Sequence, residues 1–144
     1  MLILVNTLFF AFRIAPAGAG PGIINVPGDY LTIQAAVNAA GLGDTILVAA
    51  GRYNETVFVD KSLTLIGEGS ITTFIDGFSQ AGSVVKVNAS NVKISGFTVG
   101  NGTQNGIELV YSSNCTISGN TITKNHGSGV FLNHSSTNNV SDNV

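Results

Sequence analysis

The chain has 144 residues with 6 Lys+Arg against 8 Asp+Glu, a formal net charge of −2. That length suits one domain with a modest core, and that charge leaves no basic patch to hold nucleic acid. One cysteine, Cys115, excludes an internal disulfide and any Cys-x-x-Cys metal site.

The opening, MLILVNTLFFAFRIAPAGAG, is apolar from Met1 to Phe12 and then offers Ala15-Pro-Ala17 as an A-x-A cleavage site. It resembles a secretory signal, although Arg13 follows the apolar run instead of preceding it. The run is shorter than the ~20 residues a membrane helix needs. Residues 1–20 are therefore read as a signal-like or anchor segment and residues 21–144 as the folded domain. The location expected from this is extracellular, cell-surface or periplasmic.

DYLTIQAAVNAAGLGDT carries the one helical pattern, over about residues 32–40. Thr32 is placed to cap it, Ile33, Ala36, Val37 and Ala40 fall on one face, and Gly41 ends it. A single apolar stripe needs something beneath it, so Ile33, Val37 and Ala40 are expected to be buried against Ile46 and Val48. Next come the β-type run TILVAAGRY, a turn at Asn54, inward Val57 and Val59, and a turn at Asp60-Lys61-Ser62. Leu63 and Leu65 point inward again, and TTFIDG closes the series.

From Ser83 onward eleven Asn and ten Ser accompany only five charged residues. Here the chain repeats itself. SNVKISGFTV (Ser90 to Val99) returns as SNCTISGNTI (Ser113 to Ile122) and, worn, as STNNVSDNV (Ser136 to Val144). Ile94, Ile117 and Val140 align, Val99 aligns with Ile122, and Val85, Ile107 and Val130 recur at 22 and then 23 residues. Such a period calls for a solenoid. A leucine-rich repeat fits CTISGNTI, but its other half would need a convex helix where GIELVYSS reads as strand and turn. A parallel β-helix needs only short strands and turns, with 22–23 residues per coil. The aligned residues then become inward ladders, and the helix covers the open first coil. Gly96 and Gly119 fall at a turn where φ > 0 is cheap. Asn120 and Asn143 follow that turn one coil apart, in place to bond along the axis; Phe97 interrupts the row. Cys115 occupies Val92's place and reads as a small buried hydrophobe.

The stretch VPGDYLTIQAAVNAAGLGDTILVAAGRYNETVFVDKSLTLIGEG resembles the opening of pectin-lyase-like right-handed β-helix proteins. The likeness is to the NosD-like, carbohydrate-binding and sugar-hydrolase group with parallel β-helix repeats. T-I-Q-x-A-V, G-D-T-I-x-V and G-x-Y-x-E-x-V also resemble the opening of pectinesterases. The resemblance covers about residues 24–144 and implies an all-β, right-handed, single-stranded parallel β-helix. It implies less about activity, because one scaffold serves many chemistries.

Catalysis needs a cluster of ionisable groups in a cleft. The Asp pair of pectinesterases is missing after Asp76. The calcium-binding Asp cluster of pectate lyases is represented only by Asp142, with no Arg after Arg52. NHGSG at Asn125 to Gly129 only echoes the G-H-G of polygalacturonases. His126 and His134 are read as loop residues, Tyr53 as packing beside the helix, and Arg52 and Glu55 as surface charges near it. No catalytic residue, metal site or cofactor is assigned. Six N-x-S/T sequons stand at Asn54, Asn88, Asn101, Asn114, Asn133 and Asn139, candidate glycosylation sites on an exported chain.

Three functions remain open. The first is a carbohydrate-binding or carbohydrate-processing β-helix facing a polysaccharide or surface glycan. The second is a structural or adhesive surface solenoid, and the third a NosD-like accessory protein in copper-site maturation. Because Val144 matches Val99 and Ile122, further coils are expected downstream, and an uncovered last coil would favour end-to-end self-association.

Overall fold

Short β-type runs separated by Gly, Asn and Ser turn the chain after every few residues, and each strand pairs in parallel with the strand one coil away. The computed structural model describes residues 20–144 apart from Ser79. All of the signal-like segment but Gly20 lies outside the described residues. The chain runs through β1 (Ile23–Val26) and α1 (Ile33–Ala39) into a first coil of β2 (Thr45–Val48), β3 (Gly51–Tyr53) and β4 (Val57–Val59). A second coil holds β5 (Thr64–Gly67), β6 (Thr73–Asp76) and β7 (Val85–Val87). The third holds β8 (Lys93–Ser95), β9 (Thr98–Gly100) and β10 (Ile107–Val110). The fourth holds β11 (Thr116–Ser118), β12 (Thr121–Thr123) and β13 (Val130–Asn133), and β14 (Asn139–Ser141) follows. The strands stack in parallel into three sheets, β1-β2-β5-β8-β11-β14, β3-β6-β9-β12 and β4-β7-β10-β13. This is the parallel β-solenoid expected.

The inward ladders hold where the repeats placed them. Ile46, Leu65, Ile94 and Ile117 stack in register and are fully buried, as are Val85 and Ile107. The last rung differs. Val140 pairs with Ile117 yet is 43% exposed, and Val130 is only half-buried. Each has a coil on one side alone among the described residues, so register is kept and burial is not.

The uniform coil length expected from the sequence also needs correction. Along the first sheet Lys93↔Thr116 and Thr116↔Asn139 keep the 23-residue step, whereas Thr45↔Thr64 spans 19 and Thr64↔Lys93 spans 29. The corner at residues 54–56 is three residues long, and its counterpart in the second coil is the loop 77–84.

The helix covers the first coil, with Ile33 and Val37 fully buried and Ala40, its C-cap residue, nearly so. The Thr32 hydroxyl accepts from the Ala35 N–H at 3.1 Å. Two charged residues of the first coil hold its ends. The Glu55 carboxylate accepts from the N–H groups of Ile33 and Gln34, both at 2.9 Å. Lys61 Nζ donates to the carbonyls of Val37, Asn38 and Ala40 at 3.2–3.4 Å. Each charge sits at the helix end whose dipole it complements.

In the later coils neutral side chains bond the corners. Asn120 Oδ1 accepts from the Phe97 N–H at 3.1 Å while its Nδ2 donates to the Ile94 carbonyl at 3.1 Å. Asn143 repeats this toward Asn120 and Ile117, Asn138 toward Cys115 and Ser112, and Asn125 toward Gly102 and Val99. In each case the donor N–H lies 23 residues back and the carbonyl 26. Gly96 (φ 78°) and Gly119 (φ 65°) make the turn as expected. A Cβ on Gly96 would also lie 2.3 Å from the Gly67 carbonyl oxygen, so bare backbone is needed for the coils to meet there.

Candidate functional site

Alternation that sends one set of side chains inward leaves the intervening set outside, in register along the axis. On the β4-β7-β10-β13 sheet that outer row is Phe58, Lys86, Glu108 and Phe131. Phe58 and Phe131 are 44% and 41% exposed. With coils ~4.8 Å apart, the two rings bracket the Lys and Glu over roughly 15 Å. Ser83 Oγ donates to Glu108 Oε2 at 2.8 Å and steadies that carboxylate. At the corner past this sheet, Tyr111 and His134 stand one coil apart, both at φ 49°. Their rings stack with centroids 5.0 Å apart and planes 9° from parallel. The face thus offers flat rings beside a cation and an anion, a mixture suited to a ligand with apolar C–H faces and many hydroxyls.

Arg52, Tyr53 and Glu55 do more than the sequence reading allowed. Arg52 is no mere surface charge: its guanidinium lies 4.7 Å over the Phe74 ring and pairs with Asp76. Asp76 Oδ1 accepts from the Asn101 amide and the Phe78 N–H, both at 3.0 Å. Burial alone would raise this carboxyl, but those two donors and Arg52 outweigh it and hold it below the usual range. Glu55 caps the helix from a coil away. Tyr53 packs against the core and donates from its hydroxyl to the Ala49 carbonyl at 3.1 Å. Burial, then Glu55 and Glu68, push its phenol up.

His126 is exposed in the corner between β12 and β13, and Asp142 is exposed after β14 (φ 55°). Cys115 is buried as its register predicted, and burial raises its thiol. Among the described residues no group of three or more His, Cys, Asp or Glu is placed to hold a metal ion. Of the sequons, Asn54, Asn88, Asn114 and Asn139 are exposed, whereas Asn101 and Asn133 are half-buried. A cavity of about 350 Å³ between Val26-Pro27-Gly28 and the outward Leu47 and Ile66 is apolar.

Sequence reasoning missed the outer row. Lys86, Glu108 and Phe131 could have been found, because each sits one place after an aligned inward residue (Val85, Ile107, Val130). Phe58 could not, since 28 residues separate it from Lys86.

Comparison with known proteins gives the following. Residues 45–144 match the family described as "Right handed beta helix region". A cell surface glycoprotein of Methanothermus fervidus is 36% identical over 86 residues, 58% of this chain and 14% of that protein. The chain thus spans about a seventh of the length of the curated relative it matches. Among solved structures, an alginate lyase from Paenibacillus sp. str. FPU-7 superposes with a TM-score of 0.69 at 19% identity, covering 85% of this chain and 44% of the lyase. A pectin methylesterase variant in complex with a hexasaccharide superposes with a TM-score of 0.57 at 12% identity, over 78% of this chain and 48% of the esterase. At these identities the likeness is one of fold, and the fold is the one the opening phrase implied.

Proposed function

The chain belongs to the right-handed β-helix region family, and on that premise we propose that it is part of an exported cell-surface solenoid that binds carbohydrate without turning it over. The observation that carries this reading is the outer row Phe58, Lys86, Glu108 and Phe131, two exposed rings bracketing a donor and an acceptor in one line. The relative named a cell surface glycoprotein supports the surface setting, and the likeness in fold to an alginate lyase and a pectin methylesterase supports a polysaccharide ligand. Carbohydrate-array binding followed by calorimetry tests it. Phe58→Ala and Phe131→Ala should each weaken binding about tenfold, while Phe78→Ala, which removes an exposed ring elsewhere, should not. Failure to bind any array member, or indifference to both substitutions, refutes the reading.

A second reading, a structural surface solenoid dressed with glycans, draws on the sequons. Four acceptor asparagines are exposed, and Asn114 accepts a bond from Thr137 only at Oδ1, leaving its amide nitrogen open. The amide of Asn101 is bound to Asp76. Site mapping by mass spectrometry on chain secreted from a glycosylating host should find glycan at Asn54, Asn88, Asn114 and Asn139. Occupancy at Asn101 instead would sink this assignment.

A further inference from the structure

We propose that a cleft on the β3-β6-β9-β12 sheet binds a small oxyanion, a carboxylate or sulfate group, between Arg52 and Lys124. The cleft has a volume of about 140 Å³ and is lined by Arg52, Phe74, Asp76, Thr98, Thr123 and Lys124, among others. That space admits an anionic substituent and not a saccharide chain.

Its charge favours an anion. The ion pairs among the described residues are Arg52–Asp76 and Lys61–Asp60, so Lys124 faces no carboxylate within 4.0 Å. Asp76, the one carboxylate of the lining, is nearly buried and spends both oxygens on Arg52, Asn101 and Phe78. It acts as a strut that fixes Arg52 and has little left to repel a ligand.

Arg52 itself is pre-organised. One side of the guanidinium rests on Phe74, one nitrogen is bound to Asp76, and its side chain is still 52% exposed. A guanidinium carries five N–H donors in a fixed fork, and the others remain for a planar or tetrahedral oxyanion. Little rotamer freedom is left to lose on binding. Lys124, which lines the cleft from a residue at φ 57°, supplies the second cation. Gly100 also lines the cleft, and a Cβ there would lie 2.6 Å from the Thr123 carbonyl oxygen, so bare backbone is needed for the two coils to meet beneath it.

This site does not depend on the carbohydrate reading of the neighbouring sheet. The test is an amide-shift titration of the labelled chain at low ionic strength with sodium sulfate, glucuronate and glucose. Sulfate or glucuronate should give saturable shifts around Asn101, Thr123 and Lys124, weakening as salt screens the charges, and glucose none. Lys124→Gln, which touches no structural pair, should weaken binding about tenfold. Lys93→Gln, a cation on another sheet, should leave it unchanged. Arg52→Lys keeps the charge but loses the fork, and should also weaken binding. Non-saturable shifts, equal binding by Lys124→Gln, or an equal response to glucose would overturn the proposal.

Discussion

The two halves of the solenoid build the same three sheets with different bonding groups. In the first half ionised side chains close the corners: Asp44 accepts from the N–H groups of Gly22 and Gly41, Glu55 from Ile33 and Gln34, Glu68 from Ala50, and Asp76 from Phe78. In the second half neutral amides and hydroxyls take over, with Asn120, Asn125, Asn138 and Asn143 each bonding backbone 23 and 26 residues back. Ser135 does the same toward Ser112 and Leu109. The difference tracks coil regularity. Where every coil has 23 residues, one short polar residue serves each corner by repetition. Where steps of 19 and 29 follow one another, each corner is closed by its own carboxylate, whose two oxygens can accept from separate N–H groups.

Four changes sharpen or break this contrast. The largest effect is expected from Val37→Asp beneath the helix, which places an unpaired charge in a fully buried site. It should cost about 4 kcal/mol or abolish soluble expression, read from yield and the urea midpoint. A variant as stable as the parent would deny the helix its covering role. In the second half, Asn120→Ala removes the acceptor of the Phe97 N–H and one donor to the Ile94 carbonyl in a site only 1% exposed. A loss of about 3 kcal/mol in the same titration is expected.

Acid separates the halves. The Asp76 carboxyl is depressed on folding, so its stabilisation is present above its unfolded value of about 3.9 and fades as pH falls through the lower folded value. Amide exchange between pH 5 and pH 2 should lose protection first in the coils of β2 to β7, with the Asn-bonded coils following. Asp76→Asn should flatten the early loss. Simultaneous loss in both halves would show that Asp76 does not set the acid limit. The smallest effect is expected from Glu55→Gln, which keeps a hydrogen-bonding shape and removes the charge facing the helix N-terminus. About 1 kcal/mol is expected, visible in the melting temperature.

Legibility in the sequence follows the same division. The ladders of Ile94 with Ile117 and Val85 with Ile107, the Thr32 cap, the turn glycines and the Asn120–Asn143 contact could be read in advance. Inside–outside alternation and a constant step suffice to place them. Asn125 and Asn138 escaped because their partners, Gly102 and Cys115, contribute backbone groups that leave no matching residue in the repeat. The outer row shows less clearly because its members, Phe, Lys, Glu and Phe, change residue type from coil to coil, and because Phe58 lies a coil of unequal length away.

The sequence by itself determined the parallel coil, its inward registers in the second half and the helix laid over the first coil. These follow from local periodicity, which survives in one dimension. Only the tertiary structure decided that Glu55 and Lys61 hold the helix ends, that Asp76 carries Arg52 across Phe74, and that Phe58 joins Phe131 on one line. Each of these depends on how many residues the chain spends at a corner, and a change of a few residues there rotates which side chains meet one coil later.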